Sequence, residues 1–383
     1  MDIVGDLTPQ QQRFQSEVKE FTLKHCHAAR VAECDENGEP PLEVFRALAE
    51  RGWLGIGTSE EYGGMGGGAV EFCILLEQLE YSFIQLGSLV SRGAFYLANV
   101  LKHYGTEEQR KELLPLVIRG DLKAVVGISE PNAGSDMSGI TSTATRDNRG
   151  GDWLINGEKM YLTGFDYADV IVLAAVTDST AKRAGISVFL VDTKSPGITV
   201  SRLQTMGAWQ NRTFHGAFND VAVTSSRLIG EENGGWKVLG GHNERERAGI
   251  AARSVGAAQA VLDAALEHAK SRVQFGKPIG EFQVNAHKLA DMHIEILVTR
   301  AAVYELARRI DRGENCVADA AAIKVFATEM YNRVANEGLQ IFGGSGYMRE
   351  SDMQRHFRDA RLLLIGGGTS EIQRNIVARS LGL

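Results

Sequence analysis

Three short stretches of the chain hold residue types that could do chemistry. Glu244-Arg245-Glu246-Arg247 sets two carboxylates among two guanidinium groups near the start of a long helical pattern. A carboxylate shielded from water there would accept a proton, whereas charge patterning alone reads the run as a solvated helix face. Gly366-Gly367-Gly368-Thr369-Ser370 lets a ligand approach the backbone and opens a helix whose N-terminus attracts anions. A triple glycine also serves as a plain flexible link. Ser129-Glu130-Pro131-Asn132-Ala133-Gly134-Ser135-Asp136 is a polar turn just after a strand pattern. Its N–H groups and hydroxyls suit a phosphate or a flavin ring as well as they suit a capped surface turn.

Other candidates fall away. His25, Cys26, His27 and Cys34 invite a metal, but on one helix His25 and His27 point to different faces, so no metal is expected. Gly63-Gly64-Met65-Gly66-Gly67-Gly68 has no strand before it and no acidic partner at the right distance after it, so it is a loop rather than a dinucleotide fingerprint.

The elements that must position these residues follow from composition and periodicity. At 383 residues, 44% hydrophobic and 23% charged, the chain is expected to form a soluble globular protein of two or three packed sub-domains. A net charge of -7 argues against a nucleic-acid partner, and no apolar run has the length of a membrane helix. The first six residues lack the order of a secretory signal, and the four cysteines have no CxxC spacing; a cytoplasmic location is expected.

Leu7-Thr8-Pro9 with Gln11 caps a first helix, and a second runs from Pro41 to Arg51-Gly52. Residues 71–81 and 93–103 carry helical spacing. From about residue 124 the period becomes two. Asn148-Arg149-Gly150-Gly151 reads as a turn, and Asn156-Gly157 between Trp153-Leu154-Ile155 and Lys159-Met160-Tyr161-Leu162 as a tight hairpin. Strands at 170–176, 186–191 and 198–203 complete an antiparallel β-domain. After Gly234-Gly235 the helical period returns, with Val255, Ala258, Leu262, Ala265 and Ala269 on one face. Further helices are expected over about 282–312, 316–342 and 370–383, the last with Ser370 and Gln373 as its capping box.

Together these segments resemble the acyl-CoA dehydrogenase family over nearly the whole chain. The markers are Glu61-Tyr62-Gly63-Gly64, the stretch Ser129 to Asp136, Asn156-Gly157-Glu158-Lys159-Met160-Tyr161-Leu162-Thr163, and Arg272-Val273-Gln274-Phe275-Gly276-Lys277. Gln340-Ile341-Phe342-Gly343-Gly344-Ser345-Gly346-Tyr347 and Gly368-Thr369-Ser370-Glu371-Ile372-Gln373-Arg374 complete the set. The resemblance implies a mainly α fold with a central β-domain: an N-terminal helical domain (1–123), a small antiparallel β-barrel-like domain (124–230) and a C-terminal four-helix bundle (231–383). It implies a homotetramer with one FAD per subunit, in fatty-acid or secondary metabolism, with an electron-transferring flavoprotein as acceptor.

By the same resemblance Val126, Ile128, Ser129, Gly134, Ser135, Tyr161 and Thr163 hold the flavin and its pyrophosphate. Arg272 and Phe275 reach the FAD of a neighbouring subunit, and Gln340, Gly344, Thr369 and Glu371 complete the cradle. The reaction implied is α,β-dehydrogenation of an acyl thioester, CoA-linked or carrier-protein-linked, with hydride passing to flavin N5. Most of the family carries its glutamate base just before Gly-Thr-Ser, where this chain has Gly367. A subset resembling isovaleryl- and long-chain acyl-CoA dehydrogenases carries it on the long helix, which places the base on Glu246 with Arg247 beside it and Glu244 as the fallback. Gly367 would then act through its N–H on the thioester carbonyl, and Ser135, Arg247, Gly366 and Gly367 would face the substrate. Arg92 reads as a surface arginine, with an acidic or polar acyl tail as its alternative partner. Rival readings on the same fold are a flavin monooxygenase or oxidase and a catalytically silent FAD-binding subunit.

Overall fold

The computed structural model describes residues 7–147, 152–240 and 243–383. The readings of residues 1–6 and of the turn at 148–151 lie outside the described residues.

Helices α1 (Pro9–His25), α2 (Ala28–Asn37), α3 (Leu42–Glu50), α4 (Ala69–Ser82), α5 (Leu86–Val90), α6 (Leu97–Tyr104) and α7 (Glu107–Ile118) form the first third. Thr8 caps α1, and the Gln11 side chain returns the bond to the Thr8 N–H. Cys26 leaves helical geometry at φ -114°, ψ 82°, so α1 stops at His25 and His27 becomes the cap position of α2. The two histidines therefore sit on separate elements, not on two faces of one helix. Between α5 and α6 the backbone widens into a π-helical stretch over Ser91–Tyr96.

The central sheet holds β1 (Ala124–Gly127), β2 (Thr143–Arg146), β3 (Trp153–Thr163), β4 (Val170–Val176), β5 (Ile186–Asp192), β6 (Ile198–Leu203), β7 (Thr213–Val223) and β8 (Leu228–Ile229). Its order is β6-β7-β3-β2-β4-β5-β8 with β1 on β4. Most pairings are antiparallel as expected, but β1 and β2 run parallel to β4. The hairpin expected at Asn156-Gly157 is absent: β3 runs straight through it. The long partner β7 pairs with both halves of β3, and the Asn156 amide exchanges 2.9 Å bonds with Asp220 on that strand. Gly157 is a bulge at φ 138°, where a β-carbon would lie 2.4 Å from Ser142 Oγ.

β4 and β5 join the two cores. Val170, Val172, Ala174, Ile186, Val188 and Leu190 face the helices, while Ile171, Leu173, Phe189 and Val191 face Trp153 and Phe218 inside the β-domain. This is the period-2 alternation of a sheet buried on both sides.

The last third holds α8 (Gly235–Gly240), α9 (Asn243–Ser271), a hairpin of β9 (Val273–Gln274) and β10 (Lys277–Pro278), then α10 (Gln283–Asp311), α11 (Val317–Phe342), α12 (Asp352–Leu363) and α13 (Ser370–Ser380). The bundle is built around α9, which packs on α4, α10 and α11. At Gly256 a β-carbon would stand 2.0 Å from the Glu77 carbonyl oxygen, so glycine is what lets α4 and α9 touch. The sequence reading has no α12, because that helix turns a charged face inward: Arg355 and Arg358 reach buried Asp35 at 3.3 and 2.7 Å. Among the described residues no helix is long and apolar enough to cross a membrane.

Candidate active site

Helix α9 carries Glu246 in its first turn, where carboxylates favour the helix dipole. One turn on, Ile250 packs below it. A β-carbon on Gly367 would stand 3.9 Å from Glu246 Oε1 and 2.5 Å from Ile250 Cδ1. The helix carboxylate and the glycine of the C-terminal loop thus meet across one gap. Burial raises the Glu246 carboxyl above its ordinary range, against the pull of Arg247 and Lys324. Arg247 is itself buried, and Glu244 acts on it as well as on Tyr104 and Cys316.

The loop from α12 to α13 is pinned through its carbonyls. Lys324 Nζ, on α11, donates to Gly368 O at 2.9 Å. The Gln373 amide donates to Gly367 O at 2.8 Å and to Gly368 O at 3.3 Å. Thr369 is the cap of α13, its hydroxyl accepting from the Ile372 N–H. The capping box expected at Ser370 does not form: the cap is Thr369, one residue earlier, and Gln373 is spent on the glycines. Among the described residues the Gly367 and Gly368 N–H groups donate to no protein acceptor, which leaves them to an oxyanion. Gly367 holds φ +67° and Gly366 is half-buried beside it.

A second cluster lies on the β-domain. Val126 near the end of β1 and Ile128 just past it are half-buried, and Ser129 O accepts from Met160 N–H at 2.8 Å. That bond ties the Ser129 turn to the bulge of β3, where Tyr161 sits at φ 60° with 61% of its surface exposed. The Thr163 hydroxyl lies 3.0 Å from that of Thr213, and Gly134 and Ser135 are exposed at the rim. Beneath the turn, Glu130 binds Lys159 Nζ at 2.6 Å and accepts from the Thr141 and Ser142 N–H groups at 2.6 and 3.0 Å. Burial would raise the Glu130 carboxyl, but Lys159 and these bonds bring it down to about 2. An exposed aromatic ring, adjacent hydroxyls and an open glycine turn fit a flat cofactor with polar edges and a phosphate tail.

The remaining expected residues gather elsewhere. Arg272 and Phe275 sit on the β9–β10 hairpin, Phe275 with 96% of its surface exposed. Gln340 and Gly344 are exposed at the end of α11, close by, since Phe342 stacks on His268 at 4.2 Å. Along α9, Arg272 lies about 39 Å from Glu246 at ~1.5 Å per residue. Within one chain, then, Gln340 and Gly344 do not join Thr369 and Glu371, which stand at the start of α13 by Lys324.

The sequence reading missed Lys324, Gln373, Tyr96 and the Glu130–Lys159 pair. Lys324 had a signal: it falls at helical spacing among Ala320, Ala327 and Tyr331, a lone cation in an apolar stripe, and it is wholly buried. Burial, then Arg247, holds its ammonium down to about 8. Tyr96 projects from the π-helical stretch, and burial and the Glu246 carboxylate raise its phenol. Arg92 is half-buried, with its Nε and Nη2 shut from solvent.

Three family models cover the chain: acyl-CoA dehydrogenase N-terminal domain over residues 8–121, middle domain over 125–221 and C-terminal domain over 233–382. A probable acyl-CoA dehydrogenase of Bacillus subtilis is 39% identical over 380 residues, 98% of this chain and 99% of that one. The structure of butyryl-CoA dehydrogenase from Megasphaera elsdenii superposes with a TM-score of 0.94 at 34% identity, covering 100% of both chains. A structure of PigA with FAD and proline matches with a TM-score of 0.93 at 27% identity, again covering 100% of both.

Proposed function

The chain belongs to the acyl-CoA dehydrogenase family, a family of oxidoreductases acting on CH–CH bonds, and from that premise we propose that it desaturates an acyl thioester with Glu246 as the base. The observation that carries this reading is the convergence of the Glu246 carboxylate on Gly367. The carboxylate reaches the same gap from the helix that a side chain at Gly367 would reach from the loop.

FAD is the cofactor; when bound it takes the β-hydrogen with its electron pair. The chain's own residues do the rest. Ser129, Tyr161 and Thr163, with the backbone of Val126, Ile128, Gly134 and Ser135, would hold the ring and the phosphate tail at the β-domain rim. Thr369 and Glu371 would hold it from α13. The Gly367 N–H donates to the thioester carbonyl, which makes the α-hydrogen more acidic. Glu246, raised by burial, accepts that proton, and Arg247 keeps the carboxylate charged and in place. The proton ends on Glu246, and with the hydride acceptor that FAD would supply the product is an α,β-unsaturated thioester.

We infer an assembly of more than one copy from the far end of α9, a homotetramer by the family resemblance. Arg272 and Phe275, with Gln340 and Gly344, are exposed and stand too far from Glu246 to share its cofactor, so they would grip that of another copy. An electron-transferring flavoprotein would reoxidise the enzyme. All four cysteines are free, which suits the cytoplasm.

The test is anaerobic mixing of the purified holoenzyme with a panel of CoA and carrier-protein acyl thioesters. Loss of the oxidised-flavin absorbance with at least one is expected. A flavin that no acyl thioester bleaches would overturn the proposal.

A further inference from the structure

The gap between Glu246 and Gly367 is walled on one side by three consecutive glycines, Gly366 to Gly368, which have no side chains to fix their own backbone. Gly367 and Gly368 both hold left-handed conformations, at φ +67° and +89°. Glycine takes either sign of φ about as readily. The direction of the Gly367 N–H is therefore set by what grips the loop from outside.

Before Gly367, the Gly366 N–H donates at 2.9 Å to Leu362 O, in the last turn of α12. After it, Gln373 Nε2 donates to Gly367 O at 2.8 Å and to Gly368 O at 3.3 Å. Lys324 Nζ reaches Gly368 O, one peptide group further on. Gln373 is thus the side chain that holds the peptide group directly after Gly367. That group is trans and planar, so with its oxygen turned to Gln373 its N–H, that of Gly368, points the opposite way. Gly367 stands between two anchored peptide groups, which leaves its own N–H little freedom.

The Gln373 side chain is wholly buried, and its Oε1 has no protein partner. Both acceptors of the amide are carbonyl oxygens, so its NH2 end must face them and its oxygen must face away. An unpartnered buried oxygen is destabilising. Helix α13 does not require it, because Thr369 already caps that helix through the Ile372 N–H. The placement of Gln373 serves the loop carbonyls rather than its own pairing.

We infer that Gln373 is a positioning residue for the reaction: it holds the glycine loop so that the Gly367 N–H stays aimed at the thioester carbonyl. It acts through the peptide groups of the loop and not on the substrate. This rests on the dehydrogenase reading above, which assigns that N–H to the carbonyl. A donor held in place matters most when charge gathers on the oxygen. Its loss therefore lowers the rate at saturation more than it weakens binding.

The test uses the holoenzyme and the acyl thioester that bleaches the wild-type flavin fastest in the panel above. Gln373→Met fills a similar volume without the donor. Its bleaching rate constant at saturating thioester should fall at least about 10-fold. The half-saturating concentration should change by less than about 3-fold. The second readout is the infrared carbonyl stretch of the matching 2-enoyl thioester, carbon-13-labelled at that carbonyl and bound to the enzyme. A firm N–H donor lowers this frequency relative to the free thioester, and the variant should lose at least about half of that lowering. Gln373→Asn, whose amide stops one methylene short of the loop, should lose part of it and serves where the methionine variant does not fold. FAD content and thermal unfolding report on folding. A glutamine that only packs α13 would lower the melting temperature of its variants but leave the carbonyl frequency and the rate per bound FAD at wild-type values. That result would overturn the inference and leave the dehydrogenase reading standing. A wild-type flavin that no acyl thioester bleaches would overturn both.

Discussion

The Glu246 carboxylate ends 3.9 Å from where a β-carbon on Gly367 would stand. Two chain segments more than a hundred residues apart thus border one gap, and the proposed reaction takes its proton acceptor from one and a backbone donor from the other. The variants below separate those contributions.

Glu246→Gln keeps the shape and removes the carboxylate proposed as the base. Turnover should fall by at least about 100-fold while the FAD spectrum and stoichiometry stay those of the wild type. Because burial raises the Glu246 carboxyl, ionising it opposes folding once the pH exceeds its ordinary range. The variant should therefore melt at or above the wild-type temperature at neutral and alkaline pH. Full activity in Glu246→Gln would remove the assignment.

Lys324→Met deletes a buried cation that favours the Glu246 carboxylate and the donor to Gly368 O. Without it the Glu246 carboxyl should rise further, moving the acid limb of the kcat/KM profile to higher pH. Activity should then drop more at about pH 6 than at about pH 9, as expected for a base titrating later. A purely structural defect would lower both equally.

Glu130→Gln breaks the buried pair with Lys159 beneath the Ser129 turn. Leaving one buried charge unpaired costs about 3–5 kcal/mol, readable by denaturant unfolding. The Glu130 carboxyl lies at about 2 in the folded chain against an ordinary 4.5. Its contribution is present above the ordinary value and lost as pH falls through the window down to about 2. The gap between wild type and variant should close across that range. A gap constant with pH would mean the pair is not what holds the turn.

Gly367→Ala meets two obstacles at once, a left-handed φ of +67° and Ile250 Cδ1 at 2.5 Å from the new carbon. The conformation alone costs about 1–2 kcal/mol. Stability and turnover should both fall, and Ile250→Ala in the same chain should restore part of the stability. No recovery in the double variant would show that the backbone conformation, rather than the contact, dominates.

The sequence by itself determined the order of the architecture. Helical spacing before residue 124, alternation through the middle and long amphipathic helices after Gly235 all reflect local periodicity, and each survives in the structure. Thr8 with Gln11 capped α1 as local bonding requires. The family was legible too, because its markers are short strings whose order does not depend on geometry.

What the sequence left open needed partners far along the chain. Asn156-Gly157 has the composition of a turn and became a bulge, since β7 offered pairing on both sides of it. Ser370 looked like a cap until Gln373 was claimed by the glycine carbonyls. Arg92 passed for a surface residue because nothing local tells a half-buried arginine from an exposed one. The meeting of Glu246 with Gly367 and Lys324 is decided by which helices pack together. That packing brings segments into contact through burial and close approach, as at Gly256 against Glu77, which no local pattern encodes.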